Sequence, residues 1–518
     1  MTIETVVEKK QEAIGHRIGE HNTQVWGLDI HNPVFGISAA LVVALVVSTL
    51  LFPQLASSFF VDLRVWITSK FDWLFILAVN IILLFMLLVA FSRLGRVRLG
   101  GPAARPQYGL LVWFSMLFAA GVGIGLMFFG VLEPVTHTLN PPLGIDPQDF
   151  PAARAAGMAA AIFHWGLHAW AIYAVVGLSL AFFCFSRGLP LTLRSALFPL
   201  FGKAVWGPIG HTVDTLAVLA TLFGLATSLG LGAQQISAGL SYLFGVTPDE
   251  QTQVLVIVCI ISIALVSVYA GLDKGVKRLS ELNIGLAGAL LLFVLIAGPT
   301  FLIMTTILNS FVDYIYHLPF LSNWIGREDT AFLHGWTTFY WAWWISWSPF
   351  VGMFIARVSY GRTVREFIVW VLLVPSVVGV IWMSAFGGTA LEQYFTDGFT
   401  GVAEAVPELA LFKMLEGLPF TGPVSAICVF LIAIFFVTSA DSGALVVDTI
   451  TAGGKMDTPV QQRLFWCLLC GLVAIALMLG GGMDSLQALT ISVSLPFIIL
   501  LLLMCVALLK ALREESPG

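Results

Sequence analysis

Long apolar stretches recur along this chain and are separated by short polar ones. A helix that crosses a membrane needs about 20 mostly apolar residues. That length fits twelve times, at residues 33–52, 71–92, 109–131, 157–185, 211–244, 252–271, 280–307, 335–358, 366–387, 420–441, 463–481 and 485–510. The pattern therefore predicts an all-α membrane protein with 12 transmembrane helices.

Basic residues lie in alternate loops of that arrangement. With the N-terminus in the cytoplasm, 20 of the 25 Lys and Arg residues fall on the inner side of the membrane. Because cytoplasmic loops are enriched in Lys and Arg, this bias supports the helix count and predicts that both termini are cytoplasmic. The stretch at 308–334 mixes aromatic and polar residues, and we expect it to lie along the outer interface.

Composition narrows the class of protein further. The chain has 518 residues, of which 58% are apolar and 11% are charged, and its net charge is −5. Ordinary soluble proteins have roughly 45–50% apolar and 25% charged residues, so lipid must cover much of this surface. The charge balance argues against a nucleic-acid partner. The six cysteines lie in or beside apolar runs and read as small apolar residues.

Two of the twelve spans contain residues that weaken a helix. The third has Gly121, Gly123 and Gly125 on alternate positions, and the eighth has Pro349 followed by Gly352. Transporters often bind substrate at interrupted helices that recur in two repeats. Spans 3–7 and 8–12 then form two five-helix units, each beginning with an interrupted helix. Because five is an odd number, the second unit must cross the membrane in the inverted orientation. Close packing of the glycines against a neighbouring helix is the alternative.

This organisation divides the chain into six parts. The predicted parts are a cytoplasmic tail (1–32), two peripheral helices (33–106), repeat one (107–307), an outer interfacial segment (308–334), repeat two (335–510) and a short cytoplasmic tail (511–518).

Aromatic side chains cluster in the middle of two spans. The fourth span has Trp165, Trp170 and Tyr173, and the eighth has Trp343, Trp344, Trp347, Phe350 and Phe354. Each well-placed ring face attracts a quaternary ammonium group by about 0.5–2 kcal/mol without a hydrogen bond. Neither cluster contains an Asp or a Glu, which favours a substrate that carries its own negative charge. Aromatic packing between helices remains the alternative.

Hard oxygen atoms for a cation are available in the tenth span. The hydroxyls of Thr438 and Ser439 can combine with the carbonyl of Phe435 and with carbonyls freed near Ala119 and Val122 in the interrupted third span. Such small oxygen-lined sites bind Na⁺. The alternative is that the two hydroxyls bond back to their own helix.

Five ionisable residues lie within or near the spans: Glu133, His164, His168, Asp214 and Asp441. Such residues are functional candidates, although helix capping or an ion pair is an equal explanation for Asp214 and Asp441. His164 and His168 are spaced like metal ligands but have no carboxylate between them. A membrane-embedded enzyme is therefore disfavoured, and the sequence lacks the charge rings or filter loop of a channel.

Five motifs carry a resemblance to a known family. They are GVGIGLMFFGVLEP (121–134), FHWGLHAWAIY (163–173), ATSLGLGAQQ (226–235), FYWAWWISWSPFVGMFIARVSYGRTVREF (339–367) and VTSADSGAL (437–445). From about residue 33 to residue 510 the chain resembles the betaine/choline/carnitine transporter family. The resemblance implies a LeuT-like fold of inverted five-helix repeats behind two N-terminal helices, a homotrimer, and transport of quaternary ammonium or sulfonium osmolytes.

The resemblance also implies roles for particular residues. The cage around the substrate is Trp165, Trp170, Tyr173 and Trp344, beside the backbone at Gly121, Val122, Gly123 and Gly125, with Trp343, Trp347 and Phe354 on the inward path. The sodium ligands are Ala119, Val122, Phe435, Thr438 and Ser439, and no catalytic residue or further cofactor is implied.

Two positions discriminate within the family. Proton-coupled choline members tend to have Asp where this chain has Gly125, so the resemblance favours a sodium-coupled carrier of a zwitterion, glycine betaine first. Leu225 stands where some relatives have a hydroxyl, which places a second sodium site in doubt. The stretches at 190–203 and at GPIGHTVD (207–214) resemble choline carriers, so choline remains an alternative substrate. Carnitine and dimethylsulfoniopropionate also remain. The expected location is a bacterial inner membrane.

Overall fold

The computed structural model describes residues 18–121, 123–270 and 276–515, and most of these residues are helical. Their fifteen longer helices are α1 Val34–Leu51, α2 Pro53–Phe91, α3 Leu110–Gly121, α4 Ile124–Leu139, α5 Phe150–Trp165, α6 Leu167–Ala181, α7 Pro208–Phe244, α8 Glu250–Ala270, α9 Val276–Ala297, α10 Thr300–Leu321, α11 Thr338–Val358, α12 Val364–Phe395, α13 Thr421–Thr451, α14 Val460–Leu479 and α15 Gly482–Glu515. The all-α class is confirmed.

Short elements connect these helices. They are the helices Leu193–Ala196, Phe198–Phe201, Thr330–Phe332, Gly401–Glu404 and Ala410–Glu416, the 3₁₀ turns Arg93–Arg96, Gly202–Trp206 and Pro407–Leu409, and the π turns Phe182–Ser186 and Leu333–Thr337. Before α1, strands β1 (Asn22–Val25) and β2 (Leu28–His31) form an antiparallel hairpin. The Asn22 side chain donates to the carbonyl of Ala452 at 2.9 Å, which ties this hairpin to the end of α13.

Eleven helical stretches among the described residues are long and apolar enough to cross a membrane. The third predicted span is not among them because it consists of two shorter helices, α3 and α4. The α11 helix is also absent, since Trp, Tyr, Ser and Pro make up much of its sequence. The protein is thus an integral membrane protein by its helices, while the count of twelve spans stays a prediction.

Several predicted helix limits differ from the structure, and two of them have a local cause. The α2 helix begins at Pro53, well before the predicted start at residue 71, and proline is well suited to a first helical position. The span predicted at 280–307 ends early, because Gly298 and Pro299 separate α9 from α10. A Cβ on Gly298 would lie 2.6 Å from the carbonyl oxygen of Val294, and Pro299 has no N–H to continue the helix. The other domain limits stay predictions.

The centre of the bundle is formed by helices that bury almost all of their surface. Residues of α5, α6 and α7 are buried nearly throughout, whereas few residues of α9 and α10 are buried. The most extensive packing is between α6 and α11 and between α7 and α13, and α2 packs against α15. The aromatic spans of the sequence, now α5–α6 and α11, therefore face each other in the core.

Candidate substrate site

The fourth predicted span is broken in its middle. The sequence predicts one helix over 157–185, but α5 ends at Trp165 and α6 begins at Leu167. Between them, Gly166 has φ −98° and ψ −142°, outside the helical region. The freed N–H of Leu167 donates to the hydroxyl of Tyr314 at 3.2 Å, which replaces the lost helical bond. The break places Trp165 and Trp170 on two separate helices.

The eighth predicted span is continuous, so the predicted interruption there is wrong. The α11 helix runs through Pro349 to Val358. Proline cannot donate to the carbonyl of Ile345, but the Ser348 hydroxyl does so at 2.7 Å. Gly352 serves the alternative role of close packing, because a Cβ there would lie 2.6 Å from Cγ1 of Val176 on α6.

The third span is interrupted at the expected place. The α3 helix ends at Gly121, α4 starts at Ile124, and Gly123 between them is extended at φ −162° and ψ −170°. Gly125 then lies in the first turn of α4, where a Cβ would be 2.4 Å from Cη2 of Trp165. The absence of a side chain at Gly125 thus makes room for the indole of Trp165.

Four rings form the aromatic cage: Trp165, Trp170, Tyr173 and Trp344. All four side chains are buried. The Trp344 ring centroid lies 5.3 Å from that of Trp165, 6.1 Å from that of Trp170 and 5.1 Å from that of Tyr173. The Trp165 and Tyr173 contacts with Trp344 are edge-to-face, which is a favoured geometry for aromatic pairs. Among the described residues, the Nε1 of Trp344 has no hydrogen-bond partner.

The residues expected on the inward path follow one another along α11. Trp343 donates from Nε1 to the Ser228 hydroxyl on α7 at 3.2 Å. Further along, the ring of Trp347 lies 5.3 Å from that of Phe350, and Phe354 near the end of the helix is 37% exposed. The aromatic stripe thus leads from the buried cage to a more exposed region.

The expected sodium ligands are only partly described. Val122 lies outside the described residues, and nothing is described of the side chains at Ala119 and Gly121 beyond their helical backbone. The Thr438 hydroxyl bonds back to its own helix, to the carbonyls of Ile434 at 3.0 Å and Phe435 at 3.1 Å.

Two further residues bear on the cation prediction. The Asn283 side chain on α9, which the sequence reading missed, donates to the Thr438 hydroxyl at 3.3 Å. A buried amide in an apolar helix is the signal that could have found it. Leu225 offers only an apolar side chain at its position. This side chain packs directly against Gly443 of α13, where a Cβ would lie 2.2 Å from the Leu225 Cδ1. Sodium binding at Thr438 and Ser439 stays a prediction.

A carboxylate lies directly behind the cage. Glu133 on α4 is fully buried and accepts hydrogen bonds from Nε1 of Trp165 at 2.7 Å and from the Tyr340 hydroxyl. Its other oxygen lies 2.9 Å from Nδ1 of His164 and 3.3 Å from Nε2 of His137. No acid lies within the ring cluster itself, but the sequence reading did not place one at its back. The signal was available in Glu133 and His137, which are four residues apart on one helix.

The same cluster has the donor atoms of a metal site. One ligand atom each from Glu133, His137 and His164 lies within 4.8 Å of the other two. The Glu133 carboxylate is already held by Trp165 and Tyr340, and the Nε2 of His164 lies 3.1 Å from the Thr337 hydroxyl. These bonds favour a polar network that supports the cage.

The remaining ionisable candidates have structural partners. Asp214 accepts from the backbone N–H of Arg194 at 3.0 Å and pairs with its guanidinium group, which is the ion-pair alternative. Asp441 accepts from the Ser267 hydroxyl at 2.6 Å. The Nε2 of His168 lies 3.1 Å from Oδ1 of Asn80 on α2.

Comparison with known proteins assigns the family. Residues 33–517 match the family model of the BCCT, betaine/carnitine/choline family transporters. A glycine betaine/proline/choline transporter of Vibrio parahaemolyticus is 53% identical over 519 residues, covering 96% of this chain and 94% of that protein. Glycine betaine transporter 1 of the same species is 50% identical, covering 97% and 98%. The glycine betaine transporter OpuD of Bacillus subtilis is 42% identical, covering 93% and 94%. This chain therefore belongs to the betaine/carnitine/choline transporter family.

Proposed function

We propose that this protein imports a trimethylammonium or sulfonium zwitterion, glycine betaine first, by symport with Na⁺. The observation that carries the proposal is the buried cage in which Trp344 contacts Trp165, Trp170 and Tyr173. The printed names of the similar transporters support the substrate class, since they include glycine betaine and choline.

The chemistry of the cage matches this substrate. A trimethylammonium group has no N–H to donate, so it is held by ring faces, at about 0.5–2 kcal/mol for each well-placed ring. The buried Nε1 of Trp344, without a partner among the described residues, offers a donor to a substrate carboxylate. A zwitterion satisfies both features, whereas choline satisfies the first and offers only a hydroxyl to the second. Choline, carnitine and dimethylsulfoniopropionate are the alternative substrates.

The architecture proposed for alternating access is a pair of inverted repeats, α3–α9 and α11–α15. Packing supports it, because several contacts recur in related pairs. The contact of α11 with α6 corresponds to that of α3 and α4 with α12, and the contact of α7 with α15 corresponds to that of α13 with α9. A homotrimer in the bacterial inner membrane with both termini in the cytoplasm completes the proposal.

Coupling to Na⁺ is tested by ion replacement. The expected result is that uptake of labelled glycine betaine into proteoliposomes collapses when K⁺ replaces Na⁺ at constant pH. A Thr438→Ala variant, which removes a proposed sodium ligand, should need more Na⁺ for half-maximal uptake. Uptake that is unchanged in K⁺ would contradict sodium coupling while leaving the substrate assignment in place.

The cage is tested by Trp344→Leu. Loss of the ring that contacts the other three should weaken glycine betaine binding by about tenfold or more, since tenfold corresponds to roughly 1.4 kcal/mol. The matched control is Trp66→Leu, because Trp66 is 53% exposed and lies away from the cage on α2. Equal affinities for the wild type and the Trp344→Leu variant, measured by equilibrium binding, would show that the cage is in the wrong place.

A further inference from the structure

We infer that Glu133 is a specificity-determining residue, whose negative charge acts on the substrate through the indole of Trp165. This inference rests on the proposed function, because it concerns how the cage selects a permanent cation. Glu133 does not belong to the cage: its carboxylate lies behind Trp165, on the side of the ring's N–H.

The position of the carboxylate is fixed by three helices. Trp165 on α5 donates to Oε1 at 2.7 Å, and the Tyr340 hydroxyl on α11 donates to the same atom. Nδ1 of His164 on α5 lies 2.9 Å from Oε2, and Nε2 of His137, on the same helix as Glu133, lies 3.3 Å from it. With α4 bearing Glu133 itself, the carboxylate links α4, α5 and α11 directly behind the cage.

The surrounding atoms match an ionised carboxylate. An indole N–H can only donate, so Oε1 acts as an acceptor, and it also accepts from the Tyr340 hydroxyl. A proton on Oε2 would face the nitrogen of His164, where transfer to the ring leaves the carboxylate charged again. In each arrangement the oxygen that faces Trp165 is an acceptor. Burial strengthens this hydrogen bond, because no water competes for either partner.

The charge reaches the substrate through the ring. An N–H that donates to an anion leaves more electron density on the indole, so the ring face attracts a cation more strongly. The Trp165 centroid is 5.3 Å from that of Trp344, so the affected ring belongs to the cage. The carboxylate also adds direct attraction, which is weakly screened in a buried environment. No carboxylate of the cage contacts the substrate, yet the charge of Glu133 still strengthens the attraction of a cation.

A merely structural role is the competing explanation. Glu133 holds Tyr340 and His164 in place, so its removal would also disturb the shape of the cage. The two explanations differ in what they predict for a ligand of the same shape that keeps the carboxylate but lacks the ammonium charge. Loss of the Glu133 charge weakens the binding of the ammonium group and does not weaken the binding of an anion, whereas a distorted cage weakens every ligand.

The experiment compares two ligands in two variants. Glycine betaine is compared with 3,3-dimethylbutyrate, in which a carbon atom replaces the charged nitrogen, by equilibrium binding to the purified full chain. Glu133→Gln keeps an acceptor for Trp165 but removes the charge. It should weaken betaine binding by about tenfold while leaving 3,3-dimethylbutyrate binding unchanged or stronger. Glu133→Asp retains the charge and should recover most of the preference for betaine.

A control variant and two separate contrary results complete the experiment. Glu404→Gln makes the same chemical change on an exposed residue of a short helix, and should match the wild type for both ligands. Equal weakening of both ligands by Glu133→Gln, or no weakening of betaine binding, would overturn the inference. Failure of the wild type to bind betaine would instead overturn the proposed function, and that result is obtained before any variant is made.

Discussion

Trp165 and Trp344 face each other across the cage from two helical segments of opposite character. Trp165 ends α5, one residue before the break at Gly166, whereas Trp344 lies within α11, which continues through Pro349. The residue types alone suggest the reverse, because proline disrupts a helix more strongly than glycine does. The two segments pack against each other through α6 and α11, so they share the same buried environment.

The difference lies in the partners that each site offers to the backbone. At Pro349 the orphaned carbonyl of Ile345 receives a donor from Ser348 in the same helix, so the helix continues. At Gly166 the N–H of Leu167 receives an acceptor from Tyr314, which lies on α10, so the helix can end without an unpaired group. A buried helix therefore breaks where its neighbours satisfy the freed groups of the open form.

This contrast has a consequence for transport. On the broken side, Trp165 belongs to α5 while Trp170 and Tyr173 belong to α6, so a hinge at Gly166 changes the spacing of the three rings. On the continuous side, Trp344 moves with the whole of α11. We expect the cage to open by a change at Gly166 and to be carried by α11 as a rigid support.

The largest effect is expected from filling the contact between α6 and α11. In Gly352→Leu, the new Cβ would lie 2.6 Å from Val176 Cγ1 and 3.1 Å from the backbone nitrogen of Gly177. Because backbone cannot yield as a side chain can, we expect a loss of roughly 3 kcal/mol or more. Thermal unfolding in detergent measures it. Gly285→Leu on α9, which would meet nothing within 4 Å, is the control and should unfold like the wild type.

A smaller effect is expected at the break itself. In Gly166→Ala, the Cβ would lie 2.7 Å from the carbonyl oxygen of Ile162 and 2.9 Å from the Tyr314 hydroxyl. We expect a loss of about 2 kcal/mol in stability and a further drop in betaine affinity, because the angle between α5 and α6 must change. Gly288→Ala on α9 is the matched control, since its Cβ has open space. Wild-type betaine affinity in the Gly166→Ala variant would show that the break at Gly166 does not set the spacing of the cage rings.

A third substitution separates affinity from stability. In Gly125→Ala, the Cβ would lie 2.4 Å from Cη2 of Trp165, which is the outer end of an indole ring and not backbone. The ring can turn aside, so we expect little change in the unfolding temperature but a loss in betaine affinity of about fivefold or more. Equilibrium binding and thermal unfolding on the same sample measure both. A loss of stability as large as that of Gly166→Ala would show that the ring is not free to move.

The sequence draws attention to the rings of the proposed cage but not to their supports. The two aromatic clusters stand out in one dimension because they lie in the middle of apolar spans, and the family resemblance then selects Trp165, Trp170, Tyr173 and Trp344 from them. The break at Gly166 could not, since it depends on Tyr314, almost 150 positions away. The same holds for Glu133, whose partner Trp165 comes from another helix.

The boundaries of the bundle show the same limit. Hydropathy identifies most of the spans, yet it joined α9 to the beginning of α10 across Gly298 and Pro299. The proline in α11 likewise predicted an interruption at Pro349, because a proline lacks the backbone N–H that continues a helix. The sequence does not show that the Ser348 hydroxyl donates to the Ile345 carbonyl instead. Local composition thus predicts which segments are helical, whereas the places where helices end depend on contacts that only the folded chain makes.

The smallest effect tests that explanation most directly. Ser348→Ala removes the donor to the Ile345 carbonyl and should cost about 1 kcal/mol, as for one buried hydrogen bond. Pro349→Ala restores a backbone N–H to the same carbonyl, so the double variant should recover the loss and reach at least wild-type stability. Thermal unfolding of the four proteins forms a double-mutant cycle. If the two effects simply add, with no recovery in the double variant, Ser348 does not replace the missing N–H, and the continuity of α11 must come from its packing against α6.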